Sequence, residues 1–165
     1  MSLVGTNSTW TCTIPNPNQA NSALSYYVHF GSIIDQHMRV TSSLLAQILK
    51  EPAFNVLRTK EQLGYVVFCH EWLLTGQSEK GLGIVVQSEK MPGYLEDRVE
   101  AFLEGMKMVI EEMSPEEFAE HKDSVKKRWL EEEKNMQEEM TRLATHVTTG
   151  HWDFLRRASL HLFNL

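Results

Sequence analysis

Long apolar runs, closely spaced cysteines and an excess of basic residues are all missing from these 165 residues. No segment approaches the roughly 20 consecutive apolar residues that cross a bilayer, and the N-terminus has no basic stretch leading into an apolar one. No membrane partner is therefore expected. Cys12 and Cys69 are the only cysteines. They are not in C-x-x-C spacing, which speaks against a disulfide scaffold or a cysteine metal site and for a reducing, cytoplasmic setting. With a formal charge of -6, and with the densest basic run, Lys126-Lys127-Arg128, set among glutamates without an aromatic ladder, no nucleic-acid partner is expected either. Repeats, low-complexity tracts and an internal linker are likewise absent. What remains is an ordinary globular balance of 42% hydrophobic and 23% charged residues, long enough to bury roughly two-thirds of the unfolded surface around one core.

Period-two alternation predicts strands at Trp10, Cys12 and Ile14 and at Leu24, Tyr26, Val28 and Phe30. The Pro15-Asn16-Pro17-Asn18 stretch between them predicts a hairpin. Thr41 or Ser42 is the expected cap of a helix carrying Leu44, Leu45, Ile48 and Leu49, which Pro52 should stop or kink. A short helix then runs from Phe54 to about Gln62. Gly64 sits where a helix end calls for a left-handed residue, before a β-branched and aromatic strand, Tyr65 to Phe68. Thr75-Gly76-Gln77-Ser78 supplies a turn into a strand from Gly81 to Ser88, with Leu82, Ile84 and Val86 on one face. Steps of three and four from Leu95 to Met113 give the clearest amphipathic helix. Ser114-Pro115-Glu116-Glu117 reads as a capping box opening another, with a break near Glu133. Gly150 closes this region. The sum is an α+β fold, a predominantly antiparallel sheet with helices packed on one face.

One phrase narrows the function. Glu51-Pro52-Ala53-Phe54-Asn55-Val56-Leu57-Arg58-Thr59-Lys60-Glu61-Gln62-Leu63-Gly64-Tyr65-Val66-Val67, followed by Val86-Gln87-Ser88-Glu89-Lys90, closely resembles the C-terminal half of the insulysin-like zinc metallopeptidases. The helix around Tyr94 to Leu103 and the Met113 to Phe118 start extend the resemblance from about Trp10 to Arg128. The resemblance implies one incomplete domain of the third or fourth kind in a four-domain peptidase, spanning residues 10–165 behind nine linker residues and cut short at its C-terminus. It implies zinc in the parent enzyme, held by an H-x-x-E-H helix of the N-terminal half of the same polypeptide and not by this chain, whose histidines never form that motif. It also implies peptide substrates, and mitochondria or peroxisomes as alternatives to the cytoplasm.

Within that resemblance Arg58 and Tyr65 correspond to residues that reach the substrate across the closed chamber and assist catalysis in trans, and Phe54 lines a pocket for an apolar substrate side chain. The chemistry accounts for the residue types. Water attack on a peptide carbonyl builds negative charge on its oxygen, and a guanidinium fork and a phenol are donors able to meet it. On pattern alone Arg58 would merely answer a helix dipole, Tyr65 would pack across strands and Phe54 would be core. The isolated chain is expected to be inactive, the alternative being a catalytically dead peptide-binding or complex-organising module. Oligomerisation through a surface exposed by truncation is a further expectation.

Other groups point less far. Cys69-His70-Glu71 alternates across a strand, so a nucleophile and base pair is not expected. His146 and His151 are five apart and fall on different helix faces. Glu131-Glu132-Glu133 reads as a solvated helix face, and Met106, Met108, Met113, Met136 and Met140 as core or flexible apolar contacts.

Overall fold

The computed structural model describes residues 7–16, 18–32, 34–74, 79–148, 152 and 154. Three strands, β1 (Ser22–Ser32), β2 (Val66–Leu73) and β3 (Glu79–Ser88), form an antiparallel sheet in the order β1-β3-β2. Helices α1 (Gln36–Ala53) and α2 (Pro92–Glu111), with Leu57 and Leu63 from the segment between α1 and β2, supply the rest of the principal core. β3 is central because Leu82, Ile84 and Val86 are buried almost completely on the helix side. They meet Tyr26 and Val28 of β1 and Val67 and Cys69 of β2 through the registers Tyr26↔Ile84 and Cys69↔Ile84. From α2, Leu95, Val99, Phe102 and Met106 close the same core. The α+β architecture with helices on one sheet face is the one expected from the sequence.

The predicted hairpin is absent. Residues 7–14 carry no strand, Trp10 is 89% exposed and its indole N–H donates to the Cys12 Sγ. β1 pairs instead with β3, whose residues lie 47 to 66 positions further along the chain. Leu82, Ile84 and Val86 of β3 are three branched side chains already buried under the helices, and pairing with them buries the apolar face of β1 as well.

Helix α1 starts earlier than Thr41 or Ser42. Its N-cap is Asp35, whose carboxylate accepts from the His37 N–H at 2.9 Å. Ser42 is buried inside the helix and donates to the Arg39 carbonyl. Pro52 does not end α1, which continues to Ala53 and then widens into a π-helix, Phe54–Lys60. Pro52 withholds one intrahelical N–H from the preceding turn without ending the helix.

The second half follows expectation more closely. Ser114 and Glu117 form the reciprocal capping box of α3 (Pro115–Leu130), which packs on α1 through Val125, Trp129 and Val40. Residues 131–135 separate α3 from α4 (Met136–Thr148), the break expected near Glu133. Met106 is core, while Met108, Met136 and Met140 are exposed, and α4 has no buried residue. The predicted turn at residues 75–78, Gly150, His151 and Leu155 lie outside the described residues.

Candidate functional site

The π-helix, the turn after it and the residue just before β2 place three side chains together. Leu57 is fully buried, which anchors the inner side of the π-helix and turns Phe54 and Arg58 outward. The chain then reverses between Glu61 and Gly64. Gln62, and not Gly64, takes the left-handed conformation, at φ 51°. The glycine is needed at position 64 for another reason: a Cβ there would overlap the Gln87 carbonyl oxygen of β3. This close approach starts β2 against β3 and leaves Tyr65 outside the sheet.

The result is a layered stack. The Arg58 guanidinium carbon lies 4.7 Å from the Phe54 ring centroid and 4.8 Å from the Tyr65 ring centroid, so the cation sits between two aromatic faces. Tyr65 is 84% exposed and Phe54 42%. Among the described residues, neither Arg58 nor the Tyr65 hydroxyl has a hydrogen-bond partner. Both donors therefore face an open cleft of about 570 Å³, whose floor is Val67 and Cys69 and whose far side carries His121 of α3. All three residues singled out in the sequence line this one concavity.

Two features of the site were not anticipated. Phe68 lines the same cleft and is 60% exposed. The strand parity that buries Val67 and Cys69 was the signal for it. Behind the stack, Arg98 of α2 grips Glu61 with two parallel hydrogen bonds, Nε to Oε2 at 2.8 Å and Nη2 to Oε1 at 2.7 Å. No local pattern announces a pair 37 residues apart. The hydrogen bonds from Arg98, against a smaller opposing effect of burial, hold the Glu61 carboxyl below its ordinary value near 4.5. Because the folded value is depressed, the pair's stabilisation is present above that ordinary value and is lost as pH falls through the lower folded one. In acid unfolding below about pH 4.5, the wild type should lose this increment of stability while Glu61→Gln lacks it throughout. Parallel pH profiles for the two proteins would contradict the assignment.

Neighbouring β2 residues divide between the sheet faces. Burial pushes the Cys69 thiol up to about 11, so it is no nucleophile at neutral pH. His70 faces away and stacks on Trp72 with ring centroids 5.7 Å apart. Glu71 accepts from Lys80 at 3.0 Å. Of the acidic stretch, Glu131 pairs with Lys134 and Glu133 with Arg142. Among the described residues no group of three histidine, cysteine or acidic side chains could hold a metal ion. Glu51, Cys69 and His121 also line the cleft, but they are not gathered into such a set.

Residues 44–144 match the family model described as PQQ synthase PqqF-like, C-terminal lobe domain 4. The chain is 38% identical over 152 residues to mug138 of Schizosaccharomyces pombe, a candidate zinc protease, covering 92% of this chain and 16% of that protein. It is 42% identical over 113 residues to human insulin-degrading enzyme, covering 68% of this chain and 11% of the relative. The crystal structure of pitrilysin superposes with a TM-score of 0.73 at 31% identity, covering 88% of this chain and 16% of that one. The chain thus spans no more than about a sixth of the proteins it matches.

Proposed function

Given that this chain belongs to the pitrilysin and insulin-degrading enzyme family of proteases, as part of its C-terminal region, we propose that it forms one wall of the peptide-binding chamber of a longer zinc endopeptidase. On this reading its partner is the N-terminal half of the same polypeptide, which would hold the zinc. The substrates are peptides small enough to be enclosed. Arg58 and Tyr65 donate hydrogen bonds in trans to the substrate carbonyl undergoing attack, and Phe54 receives an apolar substrate side chain.

The single observation that carries this reading is the stack itself. A guanidinium held between two rings has lost much of its rotational freedom before a ligand arrives, so its donors are aimed at little further entropic cost. Leaving such donors exposed in a cleft has no evident value for stability. Opposite a developing oxyanion they are worth far more, because they need no reorganisation as the charge appears. Phe54 contributes twice, by stiffening Arg58 and by presenting apolar surface beside it.

Because everything assigned to this chain is binding and hydrogen-bond donation, the purified 165-residue protein should not hydrolyse a quenched peptide above background. It should still bind peptides weakly, and Phe54→Ala should weaken that binding. Hydrolysis that a chelator abolishes would contradict the division of labour between the two halves.

A further inference from the structure

The turn that joins Arg58 to Tyr65 is tied down at more points than its length requires. The Glu61 N–H donates to the Val56 carbonyl at 2.9 Å and the Leu63 N–H to the Leu57 carbonyl at 3.0 Å. Leu63 is buried in the core, and Gly64 rests on the Gln87 carbonyl. Between these anchors Gln62 holds a positive φ of 51°, a conformation that a residue with a Cβ adopts only when its surroundings impose it. The side chain next to it, Glu61, is the one gripped by the Arg98 fork.

Arg98 is itself immobilised. It lies on α2 between Leu95 and Val99, both fully buried, so its backbone moves only with the core. A bidentate guanidinium–carboxylate pair fixes an angle as well as a distance. The fork therefore transmits the rigidity of α2 to the one turn whose course sets how the Tyr65 ring approaches Arg58.

We infer that Glu61 and Arg98 are positioning residues: their fork fixes the turn at 61–64 and so holds the Arg58 guanidinium and the Tyr65 phenol in the relative orientation that the proposed site needs. The inference rests on the role proposed for Arg58 and Tyr65. Neither positioning residue is expected to touch substrate. Their loss would leave both donors present but misplaced, and a displacement of about an ångström is enough to cost turnover heavily.

The test uses the full-length enzyme. Glu61→Gln and Arg98→Met should each lower kcat about tenfold while KM stays within about twofold, the signature of an interaction that matters in the transition state. Reversing the fork, with Glu61→Arg and Arg98→Glu together, should restore most of kcat. Adding Glu61→Gln to an enzyme already carrying Arg58→Ala and Tyr65→Phe should cost less than about twofold, because residues acting as a unit are not additive. The inference is overturned if Glu61→Gln lowers the melting temperature but not kcat, or costs the same factor in the doubly substituted background. Arg58→Ala with undiminished turnover would instead bring down the site, and the positioning role with it. The two failures are told apart because the first leaves the Arg58→Ala defect intact.

Discussion

Replacing Tyr65 by phenylalanine in the full-length enzyme should lower kcat on the order of 100-fold and leave zinc content unchanged. A factor of that size corresponds to about 2.7 kcal/mol of transition-state stabilisation. The substitution removes one hydroxyl and keeps the ring, so the 4.8 Å contact with Arg58 survives and the variant isolates the donor. Arg58→Ala should cost at least as much, since it removes the guanidinium and also frees both rings. At 84% exposure the Tyr65 side chain contributes little to the core, so an activity loss cannot be ascribed to unfolding. The check is kcat, bound zinc and melting temperature measured on the same preparation, and an unaltered kcat/KM would remove Tyr65 from the chemistry.

Gly64→Ala is expected to damage both stability and activity. Its new Cβ would collide with the Gln87 carbonyl oxygen, a backbone atom that cannot swing aside. The collision falls next to Val66↔Gln87, the first rung between β2 and β3. Either the turn or the strand end must move. Overpacking of this kind costs about 1–3 kcal/mol, and for a domain of this size that lowers the melting temperature by several degrees, about 2–4 °C per kcal/mol. Because the turn leads directly to Tyr65, kcat should fall as well. Thermal unfolding of the purified chain and turnover of the enzyme carrying the same change provide the two readings. A fully stable and active Gly64→Ala protein would mean that the close approach has no consequence.

The parts of this structure legible in the sequence are those written in local periodicity. The stripe from Leu95 to Met106, the Ser114 capping box and the Leu82, Ile84 and Val86 face each declare themselves within a few residues, and each was found where expected. Strand partnership is not local. The 10–14 segment alternates well enough to suggest a hairpin, yet β1 chose β3, because pairing is decided by the apolar surface the two strands jointly bury. The α1 cap was misplaced for a related reason: Asp35 sits ahead of the apolar pattern, while Ser42 inside it satisfies its hydroxyl on the helix backbone.

For the site the division is sharper. Arg58, Tyr65 and Phe54 were singled out by resemblance, and their spacing alone would have assigned them to packing and surface. Phe54 and Arg58 are one helical turn apart, and the turn through left-handed Gln62 leads the chain to Tyr65, whose ring meets the same guanidinium. The Glu61–Arg98 fork was invisible because it joins segments that meet only after the core has formed.

The most direct test compares binding of tetrahedral phosphinic peptide inhibitors with turnover of the matching peptides, across wild type, Arg58→Ala, Arg58→Lys and Tyr65→Phe. If the two side chains stabilise developing charge on the carbonyl oxygen, log Ki should track log KM/kcat with a slope near one, as about equal losses in the two quantities require. A flat relation, with inhibitor affinity indifferent to both residues while turnover falls, would contradict that role.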